Sequence, residues 1–185
     1  MGTSDVHIAM ARVVKTLEEL GIPYAICGAM AVNAHGLKRA TEDVDILLTP
    51  EGHAKFKAHA IGLGFVEKFP GSRGFKEAET KVPIDFLLTG GIPGDGVPRG
   101  VVFPDPAAIA IEHLGKKYVA LGTLIEMKIA SMLSRRDRLR DGDDVIRLIR
   151  ANEVGENFGD SLHPYVHAKY RELWRDAQLP PAHPE

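Results

Sequence analysis

Gly28-Ala-Met-Ala-Val-Asn-Ala-His-Gly-Leu-Lys-Arg-Ala-Thr-Glu-Asp-Val-Asp-Ile-Leu-Leu48 is the stretch around which the rest of the chain can be interpreted. It ends in two acids one residue apart, Asp43 and Asp45, followed by an apolar run that is typical of a buried strand. Because residues i and i+2 of a strand point to the same face, the two carboxylates should face the same way. Such carboxylates repel each other unless a cation lies between them, and Mg²⁺ is the oxygen-seeking ion suited to that place. For an Asp-x-Asp taken alone, the simpler alternative is a pair of acids that begins a strand at the solvent edge.

The residues before this acid pair predict a strand that turns directly into a helix. Residues 23–27 read as a short buried strand, and Ala29 to His35 read as a helix that begins just after Gly28. A glycine at such a turn lets backbone approach a ligand closely, and the helix N-terminus then directs free N–H groups at it. That arrangement suits a phosphate, although many strand-to-helix turns use glycine for packing only.

Composition narrows the class of protein. The 185 residues are 44% hydrophobic, which suits one medium-sized domain with a real core. A net charge of −2 gives no overall basic field of the kind that nucleic acid calls for. The single cysteine, Cys27, excludes a disulfide framework and is interpreted as a small core residue of a cytoplasmic protein. No apolar run reaches membrane-spanning length and no secretion signal is evident, so no membrane partner is expected.

The order of elements predicts an α/β (α+β) fold, a small mixed β-sheet with helices packed on it. We expect the α/β core over residues 1–121, a C-terminal helical part over residues 122–178 packed on the same core, and a flexible tail over 179–185. Thr123 and Glu126 have the spacing of a capping box that would start the first helix of the C-terminal part.

A third acid interrupts a later strand. Asp85 lies within Lys81–Thr89, a run that is apolar on both sides of it. An uncompensated buried carboxylate costs several kcal/mol, so Asp85 should have a partner, and an ordinary salt bridge would satisfy it. Pro83 cannot donate a ladder hydrogen bond, so the strand should start there or lie near an edge.

The last third of the chain carries a local excess of positive charge. Seven basic residues between positions 128 and 150 face four acids, so this part could contact a nucleotide or RNA. The alternative is a solvated helix face with ion pairs between neighbouring turns.

Taken in order, these motifs resemble the minimal nucleotidyltransferase domain of the DNA polymerase beta superfamily, especially the group with the AbiEii-type toxins. The resemblance covers roughly residues 21–150, and its order is more specific than any one motif. The matching motifs are Gly28-Ala29 after a strand, Arg39-Ala-Thr41, Asp43-Val-Asp45, Asp85 on a later strand, Leu124-Ile-Glu-Met-Lys128, and Asp141-x-x-Asp144.

The resemblance implies a role for each matching residue. Two Mg²⁺ ions would be held by the acids, and the third acid could also help to deprotonate the attacking hydroxyl. Ala29 stands where many relatives have serine or a second glycine, so the chain lacks a hydroxyl that could bind phosphate there. The implied catalytic and metal residues are Asp43, Asp45 and Asp85, and the implied nucleotide-binding residues are Gly28, Ala29, Arg39, Thr41, Lys128, Arg135 and Asp144.

The activity implied by the resemblance is transfer of a nucleoside monophosphate from an NTP to an acceptor. The acceptor stays open between tRNA, a protein and a small molecule such as an aminoglycoside-type antibiotic. The basic helices favour RNA, whereas a pronounced acidic cleft would favour a cationic drug. A toxin role with a cognate antitoxin is one option. The alternatives are a catalytically degenerate relative that binds nucleotide or a protein partner, and a structural domain whose acids form salt bridges.

Overall fold

A computed structural model describes residues 4–98, 100–135 and 137–180 of the chain. The first helix, α1 (Asp5–Glu19), buries the apolar residues that recur at helical spacing in the sequence. It ends where Gly21 takes a positive φ of 60°, and Ile22 N–H donates to Leu17 O at 2.8 Å. Of the tail expected over 179–185, residues 181–185 lie outside the described part.

In the part of the chain that the structure describes, seven strands form one mixed sheet, which confirms the predicted fold class. The strand order is β3-β4-β5-β2-β1-β7-β6, with parallel pairing between β2 and β5 and between β1 and β7. The parallel pairing of β2 with β5 places the two acid-bearing strands side by side. The strands are β1 (Tyr24–Ile26), β2 (Val44–Leu48), β3 (Phe65–Glu67), β4 (Phe75–Glu77), β5 (Pro83–Leu88), β6 (Ala110–His113) and β7 (Lys116–Val119).

The remaining helices connect the strands and form the last third of the chain. In α3, Thr49 is the N-cap and accepts a hydrogen bond from Gly52 N–H at 3.0 Å. The helices are α2 (Gly28–Ala34), α3 (Pro50–Ala60), α4 (Pro106–Ile109), α5 (Leu121–Ser134), α6 (Leu139–Ala151) and α7 (His167–Gln178), with 3₁₀ turns at Glu156–Ser161 and Pro164–Val166. Within the described residues, no helix has both the length and the apolar character needed to cross a membrane.

Four phenylalanines fix the outer half of the sheet against α3. The ring of Phe56, on α3, lies 5.2 Å from Phe65, 5.4 Å from Phe75 and 5.0 Å from Phe86 between centroids, all edge to face. Phe65, Phe75 and Phe86 come from β3, β4 and β5, respectively. Because side chains alternate along a strand, a strand residue next to one of these phenylalanines in sequence, such as Asp85, faces the opposite side of the sheet.

The C-terminal helices share their hydrophobic core with the sheet. The cluster of buried residues that contains Ile46 of β2 also contains Ile125 of α5, Leu148 of α6 and Tyr170 of α7. The packing of the last third onto the sheet therefore brings the polar residues of α5 and α6 within reach of the strand ends. The boundary at residues 121 and 122 stays a prediction.

The prediction of a capping box at Thr123 is wrong. Helix α5 begins two residues earlier, at Leu121, with Ala120 as its N-cap and no side-chain cap. The Glu126 carboxylate instead accepts a hydrogen bond from His163 N–H at 2.5 Å. The helix can start early because β7 ends at Val119 and the chain turns into α5 directly.

Candidate active site

The three acids come together at one place on the sheet. Asp45 of β2 and Asp85 of β5 are register partners on adjacent parallel strands, and Asp43 lies just before β2. One carboxylate oxygen from each of the three lies within 4.8 Å of the others. Strand alternation explains why Asp43 and Asp45 face the same way, and the strand register adds Asp85 to them.

Gly28 is required by the close approach of this acid cluster. Its φ is +57°, which favours glycine, and a Cβ built there would lie 2.0 Å from Oδ2 of Asp45. The preceding residue, Cys27, donates its N–H to Asp45 O at 2.8 Å and has a buried side chain, as expected for a core residue. The strand-to-helix turn is therefore packed directly against the second acid.

The three neighbouring carboxylates repel one another electrostatically. Burial, together with the charges of Asp43 and Asp85, raises the pKa of Asp45 from 3.8 to about 6, and the ammonium groups of Lys128 and Lys68 oppose this rise. Three carboxylates this close, one of them with a raised pKa, form an oxygen donor set that a divalent ion such as Mg²⁺ would neutralise. The residues present therefore fit the predicted metal.

A cavity of about 400 Å³ opens beside two of the acids, in the size range of small-ligand sites. Asp43 and Asp45 lie in its wall, whereas Asp85, on the next strand toward β4, is not among the residues that line it. The wall has apolar residues as well as cations. Of the predicted nucleotide-binding residues, the cavity wall includes Gly28, Ala29, Arg39, Thr41 and Lys128.

A buried charge network holds the cations of the cavity in place. Lys128, which is 7% exposed, donates from its ammonium group to Asp144 at 2.6 Å and to Asp141 at 3.1 Å. The Arg39 guanidinium donates to the same Asp144 oxygen, and Asp144 is 3% exposed. The family resemblance implies that Asp144 orients Lys128 or Arg135, and the structure places it between Lys128 and Arg39. Buried charges of this kind persist only when they are paired.

Local hydrogen bonds hold the Asp43 carboxylate and the Arg39 backbone in place. Thr41 Oγ1 donates to Asp43 Oδ1 at 2.7 Å and so restrains that carboxylate. Asn33 of α2 binds the Arg39 backbone twice, accepting from its N–H at 2.7 Å and donating to its carbonyl at 3.0 Å. Sequence reasoning missed Asn33, since an asparagine within a short helix gives no signal of a contact six residues away.

Arg135 lies outside the cavity wall, and its role in nucleotide binding stays a prediction. Helix α5 ends at Ser134, and Arg135 has extended backbone angles (φ −145°, ψ 134°). Its exposed guanidinium pairs with Asp137 at 2.6 Å. Arg138 lies in the cavity wall in its place. Several arginines follow one another here, so the sequence alone could not tell which of them faces the site.

Lys68 is the second residue that the sequence did not reveal. Its ammonium donates to both carboxylate oxygens of Asp85 at 2.7 Å. Gly74 gives the room for this contact, because a Cβ there would lie 2.6 Å from Asp85 Oδ1. The partner expected for Asp85 is therefore present, and the salt-bridge alternative coexists with the acid cluster.

Comparison with known proteins identifies the fold. No protein-family profile matches the chain, and no curated protein matches it in sequence. A crystal structure of ANT(2″)-Ia in complex with adenylyl-2″-tobramycin is similar with a TM-score of 0.58 and 14% identity, covering 92% of this chain and 98% of that one. A solution structure of the antibiotic-resistance factor ANT(2″)-Ia gives a TM-score of 0.54 and 13% identity, covering 91% and 92%. The narrower resemblance to AbiEii-type toxins stays a prediction, and the chain has the nucleotidyltransferase-like α/β fold.

Proposed function

We propose that the chain is a Mg²⁺-dependent nucleotidyltransferase that moves a nucleoside monophosphate from an NTP to a hydroxyl acceptor. One observation carries the proposal: three carboxylates, one on β2, one on β5 and one just before β2, converge within 4.8 Å beside a cavity of about 400 Å³ that has cations in its wall. A cluster of acids facing a cavity lined by cations matches the needs of a metal–triphosphate pair. A neighbour of the same fold was solved with an adenylylated small molecule, which supports nucleotidyl transfer.

Asp43, Asp45 and Asp85 would hold the metal, and two ions are the number that the sequence resemblance implies. Bound Mg²⁺ neutralises triphosphate charge and stabilises the departing pyrophosphate. Thr41 keeps the Asp43 carboxylate oriented through its 2.7 Å hydrogen bond. Gly28 permits the Asp45 carboxylate to lie against the turn, where a side chain would exclude it.

The triphosphate would lie in the cavity between the acids and the basic residues. Arg39 and Lys128 are held by Asp144, so their positive groups need no reorganisation when phosphate arrives. Arg138 adds a third cation to the cavity wall. Backbone N–H groups of Gly28 and Ala29 complete the contact, without the hydroxyl that a serine at position 29 would add.

Asp85, which does not line the cavity, would take the acceptor proton. In the reaction, the acceptor oxygen forms a bond to the α-phosphorus while the bond from that phosphorus to the bridging oxygen breaks. Pyrophosphate leaves with the electron pair, and the hydroxyl proton passes to the Asp85 carboxylate. An in-line displacement needs the acceptor and pyrophosphate on opposite sides of the phosphorus, which suits Asp85 outside and the basic residues inside.

The test is transfer of label from each α-³²P-NTP, with Mg²⁺, to total RNA, to protein and to small molecules of a cell lysate. We expect label transfer by wild type and its loss in an Asp43→Ala/Asp45→Ala variant. Asp160→Ala is the matched control. Asp160 is an exposed acid of the 3₁₀ turn Glu156–Ser161, far along the chain from the site, and it pairs with Arg171. Equal transfer by the double variant would refute the proposal, whereas Mg²⁺-dependent NTP binding without any transfer would favour the degenerate relative.

A toxin role with a cognate antitoxin is the finer form of this proposal, and only the sequence resemblance supports it. Its expected sign is arrest of growth when the chain is expressed in a host, relieved by the Asp43→Ala/Asp45→Ala substitutions. Unimpaired growth of a host that contains active enzyme would reject the toxin role and leave the proposed transferase activity standing.

A further inference from the structure

The cavity beside the acids has an apolar part as well as a charged part. The charged part contains two of the acids together with Arg39 and Lys128. The apolar part comes from β5, from the loop between β5 and α4, and from α5, and its residues are Leu87, Ile92, Pro93, Phe103, Leu124 and Met127. A nucleoside triphosphate is divided in the same way, since its base has apolar faces and its phosphates are charged. When the phosphates contact the cations, the apolar part is therefore the place left for the base.

Backbone hydrogen bonds hold the loop side of this apolar part in shape. Gly90 N–H donates to Phe103 O at 2.8 Å, and Phe103 N–H donates to Gly91 O at 2.8 Å. These two bonds join the two ends of the loop, as in a short antiparallel ladder. Ile92 and Pro93 follow directly after the joined segment, so their positions beside the cavity are fixed by the backbone before them.

The helix side brings an uncharged polar side chain, that of Ser131, to the same part of the cavity. Ser131 lies on α5 one turn beyond Met127 and Lys128, so the three residues are neighbours on the helix surface. A Cβ built on Gly94, the residue after Pro93, would lie 3.3 Å from Ser131 Cα, so the loop and the helix meet here. We name the part of the cavity that is lined by Ile92, Pro93, Met127 and Ser131 the apolar slot.

The Ser131 hydroxyl has no hydrogen-bond partner among the described residues, although Ser131 is only 8% exposed. Buried hydroxyl groups are normally hydrogen-bonded, and an unpartnered one costs free energy. Among the described residues of the cavity wall, the other hydroxyl is that of Thr41, which already donates to Asp43. Because Ser131 has one χ angle and no bond to lose, its hydroxyl can rotate toward a polar atom in the slot at little cost. The unpartnered hydroxyl therefore points to a ligand with a polar edge.

We propose that the apolar slot holds the nucleobase of the NTP, and that Ser131 selects among the four bases by a hydrogen bond to the edge of the base. This inference rests on the nucleotidyl transfer proposed above and adds the residue that decides which NTP is used. Ile92, Pro93 and Met127 contact the faces of any base, so they contribute affinity without selectivity. A base with no polar atom at the right place on its edge leaves the Ser131 hydroxyl buried and unpartnered, and binds less well for that reason.

Binding of the four NTPs as α,β-methylene analogues, which cannot transfer their nucleotide, tests the slot apart from the chemistry. Isothermal titration with Mg²⁺ present gives the affinities. We expect wild type to prefer one NTP, and Ser131→Ala to weaken the binding of that NTP about tenfold, the effect of one hydrogen bond, with the other affinities unchanged. Ser134→Ala is the matched control, because Ser134 is a serine of the same helix that is not among the residues lining the cavity, and its hydroxyl donates to Ser131 O at 2.6 Å.

Thermal unfolding of the two variants without nucleotide gives a second readout. Both variants change serine to alanine on α5, but Ser131→Ala removes an unpartnered hydroxyl, whereas Ser134→Ala removes a bonded one. We therefore expect the higher melting temperature for Ser131→Ala. A lower melting temperature for Ser131→Ala than for Ser134→Ala would show that the Ser131 hydroxyl has a structural partner, and would overturn the inference.

The affinities separate this inference from the proposed function. Equal affinity of wild type for the four NTPs, or an equal change for all four in Ser131→Ala, would overturn the selection of the base by Ser131 and leave the proposed transferase standing. Failure of wild type to bind any NTP in the presence of Mg²⁺ would reject the proposed function, and this inference with it.

Discussion

The two sides of the acid cluster are built differently. On the cavity side, Arg39 and Lys128 share the buried Asp144, and all three are held before any ligand arrives. On the outer side, toward β4, the side-chain hydrogen bonds of Lys68 among the described residues go to Asp85, and both side chains are partly exposed. The side proposed for the triphosphate is therefore rigid, whereas the side proposed for the acceptor has charges that can exchange partners.

This difference has an energetic consequence. A buried pair that loses one partner leaves an uncompensated charge, which costs several kcal/mol. A partly exposed pair contributes little, because water replaces the missing partner. Substitutions on the cavity side should therefore lower stability, and those on the outer side should lower activity with the fold intact.

The largest effect is expected for Asp85→Asn, which should reduce transfer by about 10²–10⁴-fold, the usual contribution of a general base. The free energy of unfolding should change by less than about 1 kcal/mol, because the pair with Lys68 is partly exposed. Single-turnover kinetics and urea unfolding measure the two quantities. A large loss of stability with unchanged transfer would make Asp85 a structural residue and would contradict the proposed difference between the two sides of the acid cluster.

Asp144→Asn should give the opposite pattern. It leaves the Lys128 ammonium and the Arg39 guanidinium without their shared carboxylate, so the free energy of unfolding should fall by about 3 kcal/mol. Asp141 can still pair with Lys128 and limits the loss. Urea unfolding of the variant beside Asp137→Asn, an exposed acid of the neighbouring turn, checks the value. Equal stability of the two variants would contradict a buried network.

Gly28→Ala should cost about 2 kcal/mol of stability and most of the Mg²⁺ affinity, because its Cβ would overlap the Asp45 carboxylate. Gly21→Ala is a matched control, since Gly21 has a similar φ of +60° with no atom within 4 Å of its Cβ position. Both variants strain the backbone, and only the first disturbs the acid cluster. Isothermal titration with Mg²⁺ separates them, and equal Mg²⁺ affinities would reject the crowding argument.

The last prediction concerns pH. The pKa of Asp45 rises from 3.8 in the unfolded reference to about 6 in the fold, so the folded state binds this proton more readily. The metal-free protein should therefore lose stability as the pH rises from about 4 to 6. Above about pH 6, ionisation of Asp45 should cause no further change in stability. Mg²⁺ requires the ionised carboxylate, so its affinity should fall about tenfold per pH unit below 6.

Thermal unfolding with and without Mg²⁺ between pH 5 and 8 measures this dependence. Asp45→Asn should flatten it, with a higher melting temperature of the metal-free variant at pH 7.5, where the repulsion is removed. An equal Mg²⁺-induced shift at pH 5 and pH 7.5 would be the contrary result.

The sequence was informative where the physics is local. Period-two alternation predicted that Asp43 and Asp45 share a face, and the apolar run that follows Asp45 predicted a buried strand there. The nearness of Asp85 depends on the pairing of β2 with β5, which no local pattern contains, and it was expected from the family resemblance. The pairing of Lys68 with Asp85 joins residues 17 positions apart, on either side of the intervening strand β4. The choice of Arg138 over Arg135 depends on where α5 ends.

The pairing of β2 with β5 has a kinetic consequence. The carboxylates that would share a metal lie forty residues apart along the chain, on Asp45 and Asp85, and they meet only when parallel strands have closed a long loop. Long-range closure of this kind comes late in folding. Ions that bind there would therefore leave the folding rate nearly unchanged and slow unfolding, acting as a latch on a sheet that has already formed.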